Sequence, residues 1–143
     1  MIRKLQKVDI NRVADIWLKT NLKAHFFIPE QYWTSNYEAV KEMLPQAEVY
    51  VYEDDKMIQG FIGVSDEYIE GIFVSDEMQS CGIGKMLLDY IKDKKDKLQL
   101  KVYQKNVRAM SFYQREGFTI QSEEMDEFTR EKEYVMNWES SGI

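Results

Sequence analysis

The stretch from Ile72 to Lys92 constrains the fold more than any other part of the chain. Ile72-Phe73-Val74 is a β-branched and aromatic run of the kind that suits a pleated sheet. A polar loop follows, Ser75-Asp76-Glu77-Met78-Gln79-Ser80-Cys81. Gly82-Ile83-Gly84 then opens an amphipathic helix in which Ile83, Met86, Leu87, Tyr90 and Ile91 recur at i, i+3, i+4, i+7 and i+8. Strand, glycine loop and helix in that order leave unpaired backbone N–H groups and a partial positive charge at the helix start. The ligand such an end accepts is a phosphate or pyrophosphate. Gly-x-Gly alone does not specify one. The dinucleotide fingerprint Gly-x-Gly-x-x-Gly and the Gly-Lys-Ser/Thr of a P-loop are both absent, and a ligand-free helix start is the other reading of the same residues.

The flanking pattern fits around this unit. Residues 2–7 read as a first strand, and Asp9 as the cap of a helix carrying Ile10, Val13, Ala14, Trp17 and Leu18 on one face. Residues 25–36 break that period, and a short helix is expected from Tyr37 to Leu44, stopped by Pro45. Glu48–Tyr52 and Met57–Val64 form a hairpin about Asp54-Asp55, and Tyr68–Ser75 completes a meander, with Gly71 marking a bulge or a close backbone approach. After the glycine-led helix, Leu98, Leu100 and Val102 alternate with polar residues as a one-sided strand. Asn106 caps a helix bearing Ala109, Phe112 and Tyr113, Gly117 ends it, and Phe118–Glu123 and Glu133–Trp138 close the sheet. The order strand, helix, helix, three strands, helix, strand, helix, two strands is an α/β fold with a mixed sheet.

No linker, repeat or low-complexity segment divides the 143 residues, so residues 1–143 are expected to form one domain. The formal charge of −6 comes with no basic stripe, which argues against nucleic acid and agrees with a cationic substrate such as a protonated amine. The N-terminus has no apolar leader and no apolar run long enough to span a bilayer, so no membrane role is expected. Cys81 is the only cysteine, which fits a reducing, cytoplasmic setting.

Two motifs go further. Gln79-Ser80-Cys81-Gly82-Ile83-Gly84 fits Gln/Arg-x-x-Gly-x-Gly/Ala, and Asn106-x-x-Ala109-x-x-Phe112-Tyr113-x-x-x-Gly117-Phe118 follows one helix and one strand later. The chain thereby resembles the GCN5-related N-acetyltransferases (GNAT) over its whole length. Ala24-His25-Phe26-Phe27-Ile28 with Tyr32-Trp33 is similar to a subgroup of small bacterial protein lysine acetyltransferases. The resemblance implies a mostly antiparallel sheet of six to seven strands flanked by about four helices, and acetyl-CoA as co-substrate with no metal. It implies that the strands holding residues 72 and 100 diverge and that the backbone of Phe73 and Val74 pairs with the pantetheine arm. The N–H groups of Gln79, Ser80, Cys81, Gly82, Ile83, Gly84 and Lys85 would hold the pyrophosphate. Asn106 would contact the pantetheine or steady the splayed strand, and Tyr113 would sit near the thioester sulfur.

The implied reaction is direct attack of an amine on the thioester, with a strand N–H stabilising the oxyanion and Tyr113 protonating the departing thiolate. Many relatives carry a glutamate where this chain has Lys101. Glu70, a water chain ending at His25, or an amine arriving neutral are the alternatives for the base. His25, Phe26, Tyr32, Trp33 and Tyr68 are the acceptor-site candidates; completing the core is the other reading of these aromatics. The acceptor would be a protein lysine or N-terminal amine. A small-molecule acceptor (polyamine, aminoglycoside or amino acid) and a non-catalytic acyl-CoA-binding module are the rival readings. Monomer and homodimer are both compatible with the sequence.

Overall fold

Alternating apolar residues give strands with one side to each core, and the computed structural model, which describes residues 1–141, shows how the two sides are filled. The elements are β1 (Ile2–Lys4), α1 (Ile10–Ala24), α2 (Glu30–Met43), β2 (Glu48–Asp54), β3 (Met57–Ser65), β4 (Tyr68–Val74), α3 (Ile83–Lys92), β5 (Lys97–Tyr103), α4 (Val107–Arg115), β6 (Thr119–Met125) and β7 (Lys132–Glu139). They build one sheet, of seven strands within the expected six to seven, in the order β1-β2-β3-β4-β5-β7-β6. Every neighbouring pair is antiparallel except β4 and β5.

One face of the sheet lies against α1 and α2. Val13, Ala14 and Ile16 pack there on Val49, Val51, Ile58 and Phe61, with Tyr37 and Val40 at the margin. The other face lies against α3 and α4. Ile83, Leu87, Leu88 and Ile91 meet Ile62, Val64, Ile69, Leu98, Leu100, Val102 and Met136. Period two within β5 therefore sends Leu98, Leu100 and Val102 toward α3, and leaves Gln99, Lys101 and Tyr103 on the α1/α2 side.

The parallel pair is the feature that positions the site. β4 and β5 are paired at one point, Tyr68 with Gln99. Just beyond it β4 is bulged: Gly63 faces Gly71 and Val64 faces Ile69, so Glu70 is the extra residue. A bulge bends its strand and strengthens the local twist, and here it turns β4 away from β5. The expected divergence and the expected irregularity at Gly71 have one origin. The Phe73 ring lies over Gly71, with its Cζ 2.4 Å from where a Cβ would stand.

Local details differ from expectation. The second helix begins at Glu30 rather than Tyr37, because Trp33, Tyr37, Val40 and Leu44 form a continuous apolar stripe and Pro29 leads in at the N-cap position with φ −56°. The hairpin turn is Asp55-Lys56, both at positive φ as a two-residue type I′ turn requires. β1 ends at Lys4 and a 3-10 turn covers Lys7–Asp9.

Asp9 does not cap α1 through its side chain. Its carboxylate is buried, pairs with both terminal nitrogens of Arg3 (2.8 and 3.1 Å) and accepts the Gln6 N–H at 2.8 Å. The bond from Arg3 holds the Asp9 carboxyl below the usual range, against the opposing effect of burial. A depressed folded pKa gives stability that is present above the unfolded value of about 3.9 and is lost as pH falls through the folded value. Asp9→Asn is predicted to lower unfolding stability by about 2 kcal/mol near neutral pH. In denaturant titrations the gap to wild type should close as pH drops below about 4; a gap unchanged by pH would show that the ion pair is not its source.

Candidate active site

The divergence leaves part of β4 without a strand partner. Ser75 N–H bonds Gln59 O on the β3 side at 2.8 Å. By antiparallel alternation, Phe73 also turns its N–H and C=O to β3, and Ile72 and Val74 turn theirs to the gap. Ile72 is thus a backbone position that the sequence reading did not single out; strand parity, once the bulge is known, supplies it. Val74 O accepts from the Gln79 side chain at 3.2 Å, which folds the following loop back over the strand end.

That loop leads to α3 through two left-handed residues, Ser80 (φ 68°) and Gly82 (φ 85°). The first intrahelical bond is Met86 N–H to Gly82 O, so the N–H groups from Gly82 to Lys85 have no helical partner. A Cβ at Gly82 would meet nothing within 4 Å. The backbone at Gly82 is uncovered and an anion can approach it there, and the fit to a pyrophosphate rests on that. The Lys85 ammonium turns aside to Glu116 (3.0 Å) and Asp89 (3.5 Å), which leaves Lys85 only its backbone N–H for the loop. Arg108, on the first turn of α4, brings a cation to the glycine end of the loop, while Lys23 pairs with Asp76 near its start at 3.4 Å. Arg108 donates to Gln79 Oε1 at 2.8 Å and to Ser80 Oγ at 3.1 Å. Nothing in the two motifs flags Arg108; only the packing of α4 beside the loop reveals it. Cys81 is exposed and in contact with no histidine.

Asn106 caps α4 as expected, its Oδ1 accepting Ala109 N–H at 3.2 Å. Two turns on, Tyr113 is 8% exposed and lies edge-on between Phe112 and Phe118. Its hydroxyl has no hydrogen-bond partner among the described residues and is not fully sealed from solvent. Burial, with a smaller effect from nearby Tyr68, pushes the phenol well above its ordinary value. It therefore stays protonated at neutral pH, the state of a proton donor rather than of a base.

The α1/α2 side of the gap is acidic and lined by tyrosines. Glu70, the bulged residue, is exposed, yet partial desolvation raises its carboxyl above the ordinary value. Tyr68 is raised by desolvation and by Glu70. Glu133 is raised by desolvation and then by Asp126. Tyr103 donates to Asp126 at 2.8 Å, and Tyr32 is raised by desolvation and by Asp126 and Glu133. Lys101 is paired with Glu124 at 2.9 Å. Asp126 and Glu133 were missed in the sequence. Period two in β7 carries the signal for Glu133, since Tyr134, Met136 and Trp138 pack toward α3 and α4.

The aromatic candidates separate. Tyr32 and Tyr68 belong to the acidic side. Phe26 is 81% exposed and points outward. Trp33 is buried beneath His25, whose ring stacks on it at 5.3 Å. Both His25 nitrogens are already engaged, Nδ1 with Asn21 Oδ1 (3.0 Å) and Nε2 with Asn106 Nδ2 (3.1 Å). Burial lowers the His25 pKa to about 4. A water chain ending on this ring as base would first have to break one of those bonds.

Residues 45–120 match the model of the acetyltransferase (GNAT) domain. The chain belongs to the GNAT acetyltransferases. It is 31% identical over 140 residues, 96% of each chain, to the peptidyl-lysine N-acetyltransferase YiaC of Escherichia coli K12. It is 26% identical over 121 residues to the peptidyl-lysine N-acetyltransferase YjaB of the same organism, covering 83% of this chain and 82% of that one. The solution structure of apo-form YjaB from Escherichia coli superposes with a TM-score of 0.86 over 96% of each chain at 21% identity. The divergent strands, the open loop and the family together make this chain an acetyl-CoA-dependent N-acetyltransferase. Among the described residues no group of side chains is arranged to hold a metal, and no helix is long and apolar enough to cross a membrane.

If Arg108 is the cation for the pyrophosphate, Arg108→Gln should weaken acetyl-CoA binding about tenfold, the scale of one charge-assisted hydrogen bond. It should also flatten the dependence of Kd on salt. Calorimetric titration at two ionic strengths checks both, and equal affinity with equal salt dependence would place Arg108 outside the site.

Proposed function

We propose that this acetyltransferase acts on the ε-amine of lysine in peptides or proteins. The observation that carries this reading is the acidic, tyrosine-lined face of Tyr32, Tyr68, Glu70, Asp126 and Glu133 beside the open edge of β4. Its charge complements an ammonium group, and its tyrosines present apolar surface for an alkyl stem. The identities of YiaC and YjaB as peptidyl-lysine N-acetyltransferases support the same acceptor.

Acetyl-CoA, when bound, supplies the thioester carbonyl that the amine attacks. The chain contributes four things. The open N–H groups of Ile72 and Val74 and the C=O of Ile72 hold the arm in an extended form, as an added strand would, while the Val74 C=O stays with the Gln79 side chain. One of those N–H groups is the donor for the oxyanion. Glu70, with its carboxyl shifted toward the working pH, takes the proton from the incoming ammonium. As the C–N bond forms and the C–S bond breaks, Tyr113 gives its proton to the departing thiolate, and the second proton of the acylated nitrogen restores the phenol. Burial disfavours a bare thiolate in the same cleft, which favours return of a proton to the sulfur.

Tyr113→Phe and Glu70→Gln are each predicted to lower kcat by about 10²-fold with little change in acetyl-CoA affinity, the usual scale of a lost general acid or base. The rise of kcat/KM with pH should disappear from the range above ordinary carboxylate values in Glu70→Gln. Assays against a lysine peptide and a free polyamine decide the acceptor, since the acidic face suits both. Turnover of the polyamine alone would replace the peptide reading. Tyr113→Phe with unchanged turnover would remove Tyr113 from the chemistry.

A further inference from the structure

The single histidine of the chain closes a hydrogen-bond relay that runs from α1 to the start of α4. Asn106 Oδ1 is committed to Ala109 N–H, so its Nδ2 is the donor to His25 Nε2. Nε2 must then carry no proton, and the neutral ring holds its hydrogen on Nδ1. Nδ1–H donates to Asn21 Oδ1, and Asn21 Nδ2 in turn donates to Trp17 O at 2.9 Å. Each link fixes the polarity of the next, so one tautomer of His25 satisfies all of them.

The groups around the ring reinforce this state. Trp33 of α2 stacks on it, and Phe27 and Tyr103 of β5 meet it edge-on. Tyr103 is the one titratable neighbour in that set, and its hydroxyl is directed to Asp126. Lys105 lies over the Phe27 ring and pairs with Glu131. The relay is neutral throughout, and desolvation is the one cause that lowers the His25 pKa.

The relay spans the two halves of the site. His25 stands at the C-cap of α1, where the loop of residues 25–29 begins; it leads into the turn of α2 that carries Tyr32 and is the acceptor-side loop. Asn106 stands at the cap of the helix that carries Tyr113 two turns later. We propose that His25 is a positioning residue: locked as the neutral Nδ1–H tautomer, it sets the Asn106 amide and holds the acceptor-side loop in register with the helix that bears Tyr113. Protonation at Nε2 would set two donors face to face, and acid would release the loop from α4.

The kinetic consequence rests on the acetyl-transfer reading above; the tautomer does not. Glutamine places its amide where Nε2 lies and asparagine places its amide where Nδ1 lies. His25→Gln, able to accept from Asn106, should keep activity within a few-fold of wild type. His25→Asn, which reaches only Asn21, should lower kcat by roughly tenfold or more, the scale of a misplaced reacting group. Equal losses in the two variants would reduce His25 to packing.

With one histidine, long-range ¹H–¹⁵N spectra are unambiguous. Wild type should show the Nδ1–H form at pH 7 and titrate at about 4. Asn106→Ala, which removes the donor to Nε2, should mix the tautomers and raise the midpoint. A dominant Nε2–H form in wild type, or an unchanged spectrum in Asn106→Ala, would overturn the relay. The expected spectra without turnover of any amine would keep the relay and remove the proposed function.

Discussion

The site depends on the parting of β4 from β5. Two parallel strands that stayed paired would use every backbone group between them and leave no edge for a ligand. Here pairing stops at Tyr68 and Gln99, because Glu70 is inserted as a bulge opposite β3. The bulge costs ladder bonds on one side and creates an unpaired edge at Ile72 and Val74 on the other. The same inserted residue carries the carboxylate proposed as base. One irregularity therefore opens the cleft and furnishes it.

Charge is divided across that cleft. On the loop side, unpaired N–H groups at the start of α3 and the Arg108 guanidinium favour an anion. On the α1/α2 side, Glu70, Asp126 and Glu133 favour a cation, with Lys101 neutralised by Glu124. The chain's net charge of −6 describes neither side; the arrangement does. Neither side includes the neutral groups His25, Asn106 and Tyr113, of which Asn106 and Tyr113 share α4 and its cap. Burial keeps the histidine deprotonated and the phenol protonated. Internal groups without net charge avoid the desolvation cost of an ion there, while each polar group keeps a defined direction.

The order of elements was legible because it rests on local rules. Strand alternation, the Asn106 cap and the glycine-led start of α3 all act within a few residues and reappear in the structure. The second helix was read too short because Tyr32 and Trp33 look like an interruption until Trp33 is seen to begin a stripe with Tyr37 and Val40. The capping reading of Asp9 failed to a competitor six residues earlier, Arg3. Motifs placed the phosphate loop, but the contacts that tune it are not local. Arg108 reaches Gln79 across 29 residues and His25 reaches Asn106 across 81, and no spacing rule joins such pairs. The direction of Phe26, which points outward, was likewise undetermined by its place in an aromatic cluster.

The central claim is that the edge of β4 at Ile72 and Val74 is open in the free protein and takes up the pantetheine arm of acetyl-CoA. Amide hydrogen exchange read residue by residue tests it directly. The account predicts that the Ile72 and Val74 amides exchange quickly in the free protein and become protected with saturating acetyl-CoA, along with the amides from Gly82 to Lys85. Acetyl-CoA binding that protects the loop amides and leaves both Ile72 and Val74 unchanged would contradict it.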